Sequence, residues 1–134
     1  MGSEFRIQRS VLDAIVDHAR AASPAECCGM LIGRGNTIDE AMRAANLADK
    51  PTRFVIDPRD HIAARRSARS RGLEVLGFYH SHPHSAAWPS RSDVAEATYP
   101  EAVHLIVSLQ GGLTSVGLFG IARGSATELI LTSI

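Results

Sequence analysis

The sequence has few of the features that mark secreted, membrane-spanning or nucleic-acid-binding proteins. Its two cysteines, Cys27 and Cys28, are adjacent. Neighbouring Cα atoms lie ~3.8 Å apart, below the ~4.4–6.8 Å usual for a disulfide, so we predict two reduced thiols in the core. No apolar run approaches the ~20 residues of a membrane span, and the amino terminus lacks the apolar core of a signal peptide. A cytoplasmic protein with no membrane partner is therefore expected.

Charge of one sign is also missing. The 14 Lys and Arg residues balance the 14 Asp and Glu residues, so no net field would attract nucleic acid. One local basic cluster is predicted to be an exposed helix face, and it consists of Arg65, Arg66, Arg69 and Arg71.

The length of 134 residues suits one ordinary domain and is too short for two. Hydrophobic residues make up 45% and charged residues 21%, as is typical of globular domains. We interpret residues 1–5, Met1 to Phe5, as a cloning scar outside the fold and assign the single domain to residues 6–134.

Periodicity and turn residues predict a mixed α/β sheet flanked by helices. The predicted helices are Arg9–Ala22 with Ser10 as its cap, a helix to Ser70 with Asp57 as its cap, and a short helix that starts near Ser90. The predicted strands are Cys27–Ile32, Thr37–Ala45, Phe54–Ile56, Leu73–Tyr79, Ala102–Leu109, Ser115–Ile121 and Thr127–Leu131.

The most informative stretch runs from Gly77 to Asp93. Its buried strand ends by delivering His80 and His82, which share one face because alternate residues of a strand point the same way. Ser81 should point away, and Pro83 should end the strand. The spacing therefore predicts that both imidazoles face one metal ion.

A third ligand is available at the start of the following helix. The loop is long enough to bring Asp93 back towards the histidines. Two histidines and one carboxylate leave a fourth tetrahedral position open, which is the arrangement of a catalytic zinc site.

This pattern, His-x-His followed after seven residues by Ser-x-x-Asp, resembles the signature of the JAMM (MPN-plus) zinc metallopeptidases. The segment Pro24–Gly33 is similar to the family's glutamate-bearing strand and supplies Glu26. The resemblance implies a curved mixed sheet like that of cytidine deaminase, with His80, His82 and Asp93 holding Zn²⁺. It also implies that Glu26 is the general base and that Ser90 is the oxyanion donor, roles that fit a carboxylate and a hydroxyl beside a metal.

Other metal enzymes fit less well. Thermolysin-type peptidases need H-E-x-x-H, and zinc deaminases need H-x-E followed by P-C-x-x-C. Neither motif is present. Two alternatives stay open: a metal-free scaffold or binding module of the wider MPN superfamily, and a general small-peptide zinc hydrolase.

The resemblance is to the compact prokaryotic branch of the family. It implies hydrolysis of the bond after the carboxy-terminal Gly-Gly of a small ubiquitin-like or sulfur-carrier protein of the ThiS or MoaD kind, in some cases with release of an amino acid such as cysteine. The residues do not specify the carrier or the oligomeric state. Trp88 is expected either to pack on the core as a lid or to cover a peptide tail.

The remaining histidines are given no role in the site. We expect His18 and His61 to lie on helix surfaces, and His104 to be a hydrogen-bonded core residue. His84 falls in the loop between the metal ligands.

Overall fold

The structure is a computed structural model that describes residues 3–134. Met1 and Gly2, the first residues of the segment interpreted as a cloning scar, lie outside the described residues. The elements, in chain order, are β1 (Glu4–Ile7), α1 (Arg9–Ala22), β2 (Cys28–Arg34), β3 (Thr37–Ala44), α2 (Pro58–Ser70), β4 (Glu74–His82), α3 (Arg91–Glu96), β5 (Val103–Ser108), β6 (Ser115–Ala122) and β7 (Ser125–Ser133).

The seven strands form one sheet in the order β1-β3-β2-β4-β5-β6-β7, and the sheet closes on itself as a barrel. β1 pairs in parallel with both β3 and β7, and β4 pairs in parallel with β5. The other neighbours are antiparallel. The predicted mixed sheet with flanking helices is thus confirmed.

Closure of the barrel depends on a strand that the sequence prediction left out. Phe5 and Ile7 of β1 are buried in the core, and Phe5 is paired with Leu131 of β7. The exclusion of Glu4 and Phe5 from the fold was therefore wrong. Polar and apolar residues alternate along β1, as expected for a strand with one buried face.

The two faces of the sheet are covered by different helices. One face packs on α1 through residues such as Ile15, Leu31 and Tyr79. The opposite face packs on α2, where Ala64 and Ala68 contact Met30, Ile32 and Phe78. Because side chains alternate along β4, His80 and His82 point to the same side as Phe78, towards α2 and α3.

The helix starts show one prediction confirmed and one wrong. Asp57 caps α2, since its carboxylate accepts a hydrogen bond from the Arg59 amide at 2.9 Å, and Pro58 is the first helical residue. Ser10 does not cap α1. The helix begins at Arg9, within the predicted bounds, and its N-cap is Gln8, whose side chain makes no capping hydrogen bond.

The predicted strand Phe54–Ile56 is also wrong. Only Ile56 makes a bridge, with Asn46. The Asn46 side chain accepts from the Val55 amide at 2.9 Å and donates to the Arg53 carbonyl at 3.0 Å, so a side chain supplies part of the pairing and the contact stays a single bridge.

Among residues 3–134, no helix is long and apolar enough to cross a membrane. The predicted basic helix face is exposed, as expected for Arg65, Arg66 and Arg69 of α2 and for Arg71 just after it.

Candidate metal centre

The end of β4 holds two histidines side by side. His80 is 2% and His82 3% exposed, and their Nε2 atoms lie 3.1 Å apart. His82 Nδ1 donates to the carbonyl oxygen of Ala86 at 2.9 Å. Because that hydrogen bond places the proton on Nδ1, a neutral His82 presents the lone pair of Nε2 to its neighbours.

The capping box of α3 brings Asp93 to the same point. Ser90 Oγ accepts from the Asp93 amide at 3.0 Å, and the Ser90 amide donates to Asp93 Oδ2 at 2.9 Å. These reciprocal bonds fix the carboxylate at the helix start. Asp93 Oδ2 then lies 3.0 Å from His80 Nε2 and 3.1 Å from His82 Nε2.

This cluster suits a metal ion. Two imidazole nitrogens and one carboxylate oxygen lie 3.0–3.1 Å from one another. Ligand atoms around a tetrahedral zinc with bonds of about 2.0–2.1 Å are separated by about 3.3 Å. A lone pair of His82 that faces a carboxylate oxygen is repulsive unless a cation or proton lies between them, so the donor set fits a divalent cation.

Glu26 completes the polar group. It immediately precedes the Cys27–Cys28 pair, and Cys28 of β2 is paired with His80 of β4. The side chain is 8% exposed, and Oε1 has no hydrogen-bond partner among residues 3–134. One ligand atom from each of Glu26, His80 and His82 fits within 4.8 Å of the others.

The burial of Glu26 raises the pKa of its carboxyl group. Burial and, to a smaller degree, the charge of Asp93 raise the pKa of Glu26 to about 7, although His82 opposes the shift. A carboxyl group that titrates near neutral pH can both take up and release a proton at the working pH of an enzyme.

The pKa values of the other titratable groups in the site are shifted in different directions. Burial lowers the pKa of His80. Burial would also lower the pKa of His82, but the hydrogen bond and charge of Asp93 outweigh it, and the pKa is raised. Burial likewise opposes ionisation of Asp93, yet hydrogen bonds that the two histidines donate through Nε2 when protonated there hold its pKa well below the usual range.

Ser81, which was predicted to point away from the metal, has a structural role at the site that the sequence prediction missed. Its Oγ accepts from the Cys27 amide at 2.8 Å, and its own amide donates to the Cys27 carbonyl at 3.2 Å. These two bonds join the histidine strand to the segment that carries Glu26. The position of Ser81 between the two histidines was the available signal.

Three further histidines differ from expectation. His18 is half-buried, with its Nδ1 2.7 Å from the hydroxyl oxygen of Tyr79. His61 is half-buried too, edge-on to Phe78. His104 is buried as predicted, but its Nε2 lacks a hydrogen-bond partner within the described part of the chain. Burial lowers the pKa of His104 to about 4.

The remaining residues of interest lie around the centre. Cys27 and Cys28 are buried free thiols, as predicted. His84 is exposed. Trp88 is 52% exposed and places its ring edge-on to Phe119 with 4.9 Å between centroids, so it is not packed down as a lid.

Comparison with known proteins assigns this arrangement to a family. The sequence profile of the prokaryotic homologs of the JAB domain matches residues 8–118. The chain is 34% identical over 120 residues to the desampylase of Haloferax volcanii, with 84% of this chain and 86% of the relative covered. It is also 34% identical over 104 residues to the CysO-cysteine peptidase of Mycobacterium tuberculosis H37Rv, with 76% of this chain and 71% of the relative covered.

Solved structures agree on the fold. A protein from Desulfitobacterium hafniense superimposes with a TM-score of 0.88 at 30% identity, covering 97% of this chain and 92% of the other. A JAB1/MPN domain protein from Archaeoglobus fulgidus superimposes with a TM-score of 0.66 at 24% identity, covering 99% of each chain. The predicted resemblance is confirmed: this chain belongs to the prokaryotic JAB-domain branch of the JAMM/MPN family.

Proposed function

We propose that this protein is a zinc-dependent peptidase that hydrolyses the peptide or isopeptide bond after the carboxy-terminal Gly-Gly of a small ubiquitin-like or sulfur-carrier protein. The observation that carries the proposal is the convergence of His80, His82 and Asp93 within 3.0–3.1 Å of one another beside a buried glutamate. The names of the relatives, a desampylase and a CysO-cysteine peptidase, support the class of substrate.

We assign His80, His82 and Asp93 as the zinc ligands. Glu26 also lies near the two histidines. We choose Asp93 because its Oδ2 is close enough to the Nε2 atoms of both His80 and His82 for all three atoms to bind one ion. Zinc held by these residues would supply Lewis acidity and would lower the pKa of a water molecule to near 7.

Glu26 then has the role of general base. Its pKa of about 7 means that an appreciable fraction is ionised at neutral pH and ready to take a proton from the attacking water. The protonated carboxyl can afterwards deliver that proton to the leaving amine. A carboxylate whose Oε1 has no competing hydrogen bond is free to make both transfers.

Ser90 supplies the oxyanion donor. Its Oγ uses a lone pair to accept from the Asp93 amide, so the cap does not consume the hydroxyl proton. Ser92 Oγ lies 3.1 Å away and is the alternative partner within the protein. The exposed hydroxyl can turn towards a substrate oxygen that gains negative charge.

The remaining proposals concern substrate and location. Glycines suit a tail that passes close to the metal, because they have no Cβ to clash with the walls. We expect poor cleavage when either glycine becomes alanine. A cytoplasmic location is proposed because the buried thiols of Cys27 and Cys28 would stay reduced there.

The experiment compares metal content and hydrolysis in matched variants. The wild-type protein should carry about one zinc per chain. His80→Ala and Asp93→Asn should lose zinc, whereas Glu26→Gln should keep zinc and lose hydrolysis, as judged by mass spectrometry of carrier fusions with Gly-Gly or Ala-Ala tails.

Two results would contradict parts of this assignment. Full zinc in both ligand variants would remove the metal centre and favour the metal-free scaffold. Equal cleavage of Gly-Gly and Ala-Ala tails, or cleavage of short peptides alone, would favour a general small-peptide hydrolase.

A further inference from the structure

A cavity of about 280 Å³ adjoins the candidate metal centre on the α2 and α3 side of the sheet. Its lining includes His80 and Asp93 of the centre. Much of the remaining wall consists of rings packed against one another, with centroid separations of 5.1–6.1 Å, and these are His61, Phe78, Tyr99 and His104. The cavity is thus continuous with the place where a bond would be cut. One side of it is aromatic, and Arg53 and Glu96 also line it.

His104 is a polar exception in this wall. The residue is 8% exposed, and Nε2 has no hydrogen-bond partner among residues 3–134. The neighbouring His61 differs, because its Nε2 accepts from Arg65 Nε at 2.8 Å. A buried polar atom without a partner costs about 1–3 kcal/mol, so a ligand group that bonds His104 would recover this loss.

The sheet register gives the distance between His104 and the metal centre. β4 and β5 run in parallel, and His104 is paired with Phe78, which lies two residues before His80. Two strand residues span about 7 Å, and residues two apart share a face. An extended peptide has the same rise and alternation, so the residue directly before Gly-Gly lies about 7 Å from the last glycine. A tail with its last glycine at the metal centre and its preceding residues running along the cavity would bring that side chain level with His104.

We infer that the cavity is a specificity pocket for the carrier residue that directly precedes Gly-Gly, and that it selects an uncharged side chain whose hydroxyl binds His104. The inference rests on the proposed function, since it requires a Gly-Gly tail at the metal centre. Tyrosine meets both demands of the pocket, because its ring packs on aromatic walls and its hydroxyl reaches a buried partner. Phenylalanine would satisfy the rings and leave His104 Nε2 unpaired.

The test uses carriers with Tyr, Phe, Thr or Val directly before Gly-Gly. Tyr and Phe differ by a hydroxyl group, and Thr and Val differ mainly by one. The zinc-loaded wild-type protein should cleave the Tyr carrier with about tenfold higher kcat/KM than the Phe carrier. It should also cleave the Thr carrier with higher kcat/KM than the Val carrier. His104→Leu should still cleave the Phe carrier but lose the preference. His104→Gln keeps a hydrogen-bonding group of similar reach and should retain part of the preference.

Binding provides a second readout that does not depend on turnover. Tail peptides ending in Tyr-Gly-Gly or Phe-Gly-Gly should bind the Glu26→Gln protein with the same preference for Tyr, measured by calorimetry. Equal use of Tyr and Phe by the wild-type protein, or a preference that survives in His104→Leu, would overturn the pocket assignment. Preferential binding of Tyr-Gly-Gly without cleavage of any carrier would support the pocket and count against the proposed peptidase function.

Discussion

Glu26 is held beside His80 and His82 at a cost to the folded protein. The residue is 8% exposed, and its carboxyl group has a pKa of about 7, compared with an ordinary value of 4.5. Because the pKa is higher in the folded state, the folded protein holds this proton more tightly than the unfolded chain does. Between those two values the unfolded chain is already ionised while the folded protein is still protonated.

We therefore predict that the metal-free protein loses stability as the pH rises from about 4.5 to about 7, and that this loss is absent in Glu26→Gln. The difference in unfolding free energy between the two proteins should change by up to about 3 kcal/mol across that window and stay constant above it. Urea unfolding with a chelator at several pH values measures it. A constant difference over the whole range would show that Glu26 has an ordinary pKa.

At the scale of single residues, the sequence predicts part of the candidate site. His80, His82 and Asp93 were expected to meet, because strand alternation and a helix start constrain where they point. Glu26 was expected there only because the family resemblance implies it. The surroundings of His61 and His104 were not predicted. Their contacts with Phe78 come from strand pairing and helix packing, which no local pattern specifies.

At the scale of elements, α3 has two functions within six residues. It is a short helix whose start is stabilised by the capping box, and the same box aims Asp93 at the histidines. Asp93 Oδ2 accepts from the backbone amide of Ser90, so this contact does not require the Ser90 side chain. The Ser90 hydroxyl can therefore be removed while the carboxylate stays in place.

Substitutions at Ser90 should separate capping from oxyanion donation. Ser90→Ala loses both and should lower kcat by ~10²–10³ while zinc stays bound. Ser90→Gly should be as slow, although glycine weakens a helix cap by only a few tenths of a kcal/mol. Ser90→Thr keeps a hydroxyl and should stay close to wild type. If Ser90→Gly hydrolyses the carrier at the wild-type rate, the hydroxyl serves only as a cap.

The prediction of elements succeeded where one local signal dominates. Helices Arg9–Ala22 and Pro58–Ser70 have the expected bounds, because periodic apolar residues and a Pro or Gly mark them. The prediction of a strand at Phe54–Ile56 was wrong, because three strand-forming residues were present without a neighbouring strand. β1 was missed because residues 1–5 were interpreted as a cloning scar. Its partners β3 and β7 are distant in sequence, so no local pattern indicated the pairing.

For the whole molecule, β1 joins the two ends of the sheet. It contributes two buried side chains, Phe5 and Ile7, and its backbone pairs on both sides. A sheet that closes in this way gives each strand a neighbour on both sides, although β1 pairs only with Thr37 and Ile38 of β3. Stability should therefore depend strongly on four residues at one end of the described chain.

We predict that Phe5→Ala destabilises the protein by about 3–5 kcal/mol, because it removes a buried aromatic side chain from the seam. The matched control is Glu4→Ala in the same strand, which is exposed and should change stability by less than about 0.5 kcal/mol. Denaturant unfolding of both variants gives the comparison. Similar stability of the two variants would mean that β1 adds little to the closed sheet.

The closed seam also has a consequence for how the chain folds. Glu4 pairs with Ile130, so β1 and β7 must meet across nearly the whole sequence, whereas β2–β3, β5–β6 and β6–β7 are joined by short turns. Long loops close at a greater entropic cost, and we expect the hairpins to form first and the seam last. Until then β3 and β7 each present an open edge to other copies of the chain. The rate at which β1 docks thus decides how long each newly made molecule is exposed to aggregation.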